Sequence, residues 1–130
     1  MYIAIDFDGT IVTHEYPEIG QDIGALEWLK KFQEAGAKLI LWTMRHDSEK
    51  SGPVLTDAID FCKDNGIMFY GHNENPDQHW SDSNKAYAHV YIDDAAFGCP
   101  LIQSAGRKKP YVDWSVVGPT VLDLIKEKYE

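Results

Sequence analysis

Three apolar runs in this chain, Tyr2 to Ile5, residues 37–43 and residues 90–92, are too short for helices, and each stops abruptly at an oxygen-bearing side chain. YIAI ends in Asp6, AKLILWT closes on Thr43, and VYI ends in Asp93 and Asp94. A strand that is apolar on both faces belongs inside a parallel sheet covered on both sides. The stretches between these runs have helical spacing. From Asp22, an N-cap residue, Ile23, Leu26, Leu29 and Phe32 share one face, and Gly36 follows as a stop. Pro53 opens a second helix with Leu55, Ile59 and Cys62 on one face, closed by Gly66. Ile67 to Tyr70 reads as a third strand, followed by a polar loop to Asn84. After residue 94, PLI and YVDW supply one more short strand and an edge, and Gly118 with Pro119 opens a last helix. Strands alternating with helices predict right-handed βαβ units, hence a three-layer, Rossmann-like α/β domain. Ligands of such sheets bind at the carboxyl ends of the strands, where Asp6, Asp8, Thr43, Asp93 and Asp94 would meet.

Asp6 and Asp8 sharpen that expectation. In an extended chain residues i and i+2 point the same way, so a strand running on through Asp8 would set two carboxylates side by side. Each raises the other's pKa unless a cation lies between them, and Mg²⁺ takes one or two carboxylates together with water and phosphate oxygens. Gly9 permits a sharp turn there, with its amide free to face an anion. The alternative for the same residues is an ordinary turn after a strand.

Bulk properties narrow the field. The 130 residues fit one domain, with 44% hydrophobic residues to build its core. A net charge of −9 makes nucleic acid an unlikely partner and disfavours an anionic membrane surface. Only Cys62 and Cys99 are present, without CxxC spacing, and Met1 leads straight into a strand with no signal-like start, so a cytosolic, disulfide-free protein is expected. No apolar run approaches the length of a membrane span.

The order DFDGT, LWT, a lysine ahead of the last active-site strand, then YIDD resembles the motif series of the haloacid dehalogenase superfamily of phosphatases and phosphotransferases. The resemblance implies a Mg²⁺-dependent phosphatase working through an aspartyl phosphate, in which Asp6 is the nucleophile. Asp8 would be general acid and base, its backbone carbonyl also on the metal. Thr43 would hydrogen-bond the phosphoryl group, Lys85 would screen the negative charge, and Asp93 and Asp94 would hold the metal. Asp8 also argues for phosphate chemistry, since members that cleave carbon–halogen bonds lack that second aspartate. Gly9, Thr43, Met44, Arg45 and Lys85 are the candidates for substrate contact, Arg45 either in a bidentate contact with substrate or in a surface salt bridge. The histidines, His14 and His72 among them, lack metal-ligand spacing and read as loop residues.

Substrate choice in this superfamily usually comes from a cap domain inserted between motifs. Neither the gap from Ile11 to Gln21 nor the one before Lys85 has room for a folded cap, so the chain resembles capless members, whose sites are open to bulky substrates or covered by another subunit. The substrate, a small-molecule or macromolecular phosphate ester, and the oligomeric state stay open. The alternative is a non-catalytic phosphate- or partner-binding regulatory module on the same fold.

Overall fold

A computed structural model of the chain describes residues 1–103, 106 and 109–129. Four strands, β1 (Tyr2–Ile5), β2 (Lys38–Leu41), β3 (Gly71–His72) and β4 (Val90–Ile92), form a fully parallel sheet in the order β3-β2-β1-β4. The helices are α1 (Ala25–Glu34), α2 (Val54–Asp64) and α3 (Trp114–Tyr129), and a separate antiparallel pair joins β5 (Leu101–Ile102) to β6 (Tyr111–Val112).

Handedness assigns the layers. The steps from β1 to β2 and from β2 to β3 run the same way across the sheet, so right-handed crossovers put α1 and α2 on one face. The return from β3 to β4 runs the opposite way and puts residues 73–89 on the other. The core follows this division. Ile3, Ile5, Leu39, Leu41 and Ile92 join Leu29, Phe32, Ala58, Cys62, Val121 and Ile125 in one buried cluster beneath the helices. Ala4 and Ile40, at the alternate strand positions, are equally buried but lie outside that cluster. On their side no helix covers the sheet among the described residues. The segment 73–89 is tied down instead by polar side chains, with Asp77 accepting from the Tyr2 hydroxyl at 2.6 Å and Tyr70 at 2.5 Å, and Asn75 donating to the Tyr87 carbonyl at 2.9 Å.

Two elements depart from the sequence expectation. The third strand is Gly71–His72 rather than residues 67–70, because Ile67 turns into the helical core while only the amide of Tyr70 reaches the Leu39 carbonyl, at 2.7 Å. The last helix begins at Trp114, not at Gly118. Asp113 caps it, accepting the Ser115 amide at 3.1 Å on its side chain and the Val117 amide at 3.0 Å on its carbonyl. Gly118 serves packing instead: a Cβ there would lie 2.3 Å from the ring of Trp28, so its absence lets α3 settle against α1. Asp22 does act as a cap, its Oδ1 accepting the amides of Gly24, Ala25 and Leu26 at 2.9–3.3 Å.

Both cysteines are free, and among the described residues no helix is long and apolar enough to cross a membrane.

Candidate active site

The parallel ladder continues one residue past each strand, the Asp6 amide donating to the Ile92 carbonyl at 3.0 Å and the Trp42 amide to the Ile5 carbonyl at 2.8 Å. This levels the ends of β2, β1 and β4. Asp6, Trp42, Thr43, Met44, Asn73, Asn84 and Asp93 consequently line one open cleft of about 330 Å³.

Asp6 and Asp93 from this lining and the adjacent Asp94 each place a carboxylate oxygen within 4.8 Å of the other two. Thr10, fully buried, braces them. Its hydroxyl lies 3.2 Å from Asp6 Oδ2 and 3.3 Å from Asp94 Oδ1, and it accepts the Asp94 amide at 3.0 Å. His14 supports Asp94 from behind, with Nε2 3.1 Å from Asp94 Oδ2 and 3.2 Å from the Pro110 carbonyl; since both are acceptors, Nε2 carries the hydrogen. Burial first, then the charge of Asp93 and the hydrogen bond with Asp94, push the Asp6 carboxyl up to about 8. A divalent cation among these oxygens would lower it again, and hard carboxylate oxygens are the donor type that Mg²⁺ takes. The donor chemistry of the triad fits such an ion.

Thr43 stands on the cleft wall. Its hydroxyl oxygen accepts the Arg45 amide at 3.1 Å, and its own amide donates to Asn73 Oδ1 at 2.8 Å. Asn73 sits at φ 55, a left-handed position that Asn tolerates. Met44 is almost fully exposed on the rim.

Four expectations are corrected. Asp8 does not stand beside Asp6. The chain turns immediately after Phe7, whose carbonyl accepts the amides of Thr10, Ile11 and Val12 at 2.8–3.3 Å, and the turn sends Asp8 away from the triad. Its carboxylate takes a two-pronged bond from Arg45, Nε to Oδ2 and Nη2 to Oδ1, both 2.8 Å, and is not one of the three clustered carboxylates; the metal contact expected of Asp8 was through its backbone carbonyl, which this pairing does not involve. Arg45 is thus neither a substrate contact nor a surface ion pair: its side chain is 1% exposed. Gly9 offers no amide to an anion, because that amide donates to the Val12 carbonyl at 2.7 Å. Its role is steric, since at φ +81 a Cβ would come within 2.1 Å of His14 and 2.7 Å of Asp94. Lys85 is not brought to the carboxylates. Its ammonium lies 5.1 Å from the centre of the Tyr91 ring, and the neighbouring Asn84 faces the cleft.

Thr10, His14, Asn73 and Asn84 are the site residues that sequence reasoning missed. Thr10 was within reach, being the last residue of DFDGT; the others lie in loops whose side-chain directions no periodicity encodes.

Among solved structures the chain is similar to a conserved protein from Bacteroides thetaiotaomicron, with 38% sequence identity over 98% of this chain and 91% of that one and a TM-score of 0.69. No family model and no curated protein matches the sequence.

Proposed function

The chain belongs to the same family as the conserved Bacteroides thetaiotaomicron protein, and since that likeness brings no reaction with it, we propose a function from the chemistry of the site: a Mg²⁺-dependent phosphate monoester hydrolase of the haloacid dehalogenase type. The observation that carries this reading is the meeting of Asp6, Thr43 and Asp93 around one cleft at the carboxyl ends of three adjacent strands, with Asp94 beside them. Asp6 is the nucleophile, attacking phosphorus and taking the phosphoryl group as an aspartyl phosphate. The Thr43 hydroxyl and the Asn84 amide hydrogen-bond phosphoryl oxygens. Asp6, Asp93 and Asp94 would hold the cation, which neutralises charge on the transferring group when bound. Thr10 and His14 fix the carboxylates so that little reorganisation accompanies the reaction. Lys85 can join only by leaving the Tyr91 ring.

A phosphate- or partner-binding module on the same fold is the second reading, favoured by Lys85 lying over Tyr91 and by the engagement of Asp8 with Arg45. Hydrolysis of a panel of phosphate esters, run in Mg²⁺, in Ca²⁺ and in chelator, separates the two. The hydrolase reading expects turnover in Mg²⁺ that chelator abolishes and that Asp6→Asn lacks. Binding of phosphate without turnover of any ester would favour the module.

A further inference from the structure

Resting on the cation site of the hydrolase reading, we propose that the segment 110–114, which lies outside the motif series, buttresses that site, with Trp114 and His14 as positioning residues that set its affinity for a divalent cation.

Three contacts join this segment to the loop that carries the site. His14 Nε2 donates to the Pro110 carbonyl as well as to Asp94 Oδ2, the Val112 amide donates to the Gly9 carbonyl at 3.0 Å, and Trp114 Nε1 donates to the Thr10 carbonyl at 2.7 Å. Pro110 and Val112 are two apart, and an extended chain turns the backbone groups of every second residue to the same edge. The opposite edge is held by the hairpin: β6 pairs with β5, and the Asp113 amide donates to the Pro100 carbonyl at 2.8 Å. Trp114 then opens α3, its buried ring 6.2 Å from that of Phe32, centre to centre. A hairpin and a helix thus fix the segment on one side, and on the other it grips Gly9, Thr10 and His14.

What the grip controls is the pair Asp6 and Asp94. The Thr10 hydroxyl meets both carboxylates, and the Thr10 backbone is anchored at its amide by the Phe7 carbonyl, at 3.2 Å, and at its carbonyl by the Trp114 indole. Losing the indole hydrogen bond would release one of these anchors and let the hydroxyl shift between the two acids. His14 works from the far side of Asp94. Oδ1 of that residue faces the Thr10 hydroxyl and Oδ2 faces His14, so the plane of the carboxylate is set from both of its oxygens.

Carboxylates this close repel one another, so each gains by turning away when no cation lies between them. A side chain that has turned away must be ordered again as the ion binds, which lowers affinity; one already held in place escapes that penalty. Removing outer partners of this kind weakens metal binding by about 10–100-fold in other sites.

The test is binding of Mn²⁺, which carboxylate sites accept as they accept Mg²⁺, followed by loss of the free-ion electron paramagnetic resonance signal as protein is added. The proteins are the wild type, Trp114→Phe, His14→Ala and Val121→Ala. Trp114→Phe keeps a ring against Phe32 and deletes the indole N–H; the His14 side chain is 24% exposed, so its truncation leaves the core intact. Val121 is buried beneath α3 and takes no part in the three contacts, so Val121→Ala loosens the helix through its packing alone. Trp114→Phe and His14→Ala are expected to bind Mn²⁺ about 10–100-fold more weakly than the wild type, and Val121→Ala, despite a lower urea midpoint, within about 3-fold of it. Wild-type-like affinity in both Trp114→Phe and His14→Ala would overturn the inference, and so would a loss in Val121→Ala as large as theirs. Should Trp114→Phe fail to fold, His14→Ala against Val121→Ala decides. A wild type that binds no Mn²⁺ overturns the cation site and this inference with it, whereas a wild type that binds the ion and cleaves no ester overturns the hydrolase reading alone.

Discussion

Replacing Arg45 with Met keeps much of the side chain's bulk and deletes its charge, so the loss reports on the guanidinium. The substitution leaves the Asp8 carboxylate without its partner and three backbone carbonyls, those of Pro17, Glu18 and Val54, without donors. Removing one member of a buried ion pair costs about 3–5 kcal/mol. The Asp8 side chain is 20% exposed and recovers part of its hydration, which places the expected loss near the lower end, about 3 kcal/mol. A domain with roughly 5–15 kcal/mol of stability survives that. With a urea m-value of about 2 kcal/mol/M, the unfolding midpoint should fall by about 1.5 M. Most of the penalty is the stranded carboxylate, so adding Asp8→Asn to Arg45→Met should restore part of the midpoint, although Asp8→Asn alone lowers it. Urea titration followed by circular dichroism of the wild type, both single variants and the double variant completes the cycle. A shift below about 0.5 M for Arg45→Met, the ~1 kcal/mol of an ordinary surface pair, would refute the burial argument. So would simple additivity of the two substitutions.

Two further outcomes follow from the carboxylate floor. Burial and the neighbouring carboxylates push Asp6 up to about 8 in the folded protein against 3.8 for a free aspartate, so between those pH values the folded state holds a proton that the unfolded chain has lost, and stability falls as pH rises through that window. Asp6→Asn should therefore be more stable than the metal-free wild type at pH above about 8, with the difference vanishing toward pH 4; urea midpoints at three pH values check this, and a less stable variant at high pH would contradict it. Gly9→Ala should destabilise by at least 1–2 kcal/mol, the approximate cost of a left-handed conformation for a residue with a Cβ, and should also displace His14 and Asp94. Full stability together with unchanged Mg²⁺-dependent hydrolysis in that variant would show that the turn relaxes freely.

What the sequence by itself determined was the level of the site. Apolar runs ending in Asp6, Thr43 and Asp93 could only be buried parallel strands, and parallel strands joined by right-handed crossovers bring their carboxyl ends to one edge. That inference needed only periodicity and chain direction, both local properties. Tertiary structure decided where side chains point once the strands have ended. Asp6 and Asp8 are two residues apart, yet one faces Asp93 and the other Arg45, because the Phe7 carbonyl gathers the amides of Thr10, Ile11 and Val12 and reverses the chain between them. Lys85 and Asn84 are neighbours, but the irregular segment 73–89 turns the amide into the cleft and lays the ammonium over Tyr91. The same holds for Arg45, whose five side-chain hydrogen bonds go to three separate places in the sequence, Asp8, the adjacent Pro17 and Glu18, and Val54. An arginine two residues beyond a strand has no local feature marking it as buried; only the meeting of those segments supplies enough acceptors to remove its charge from water.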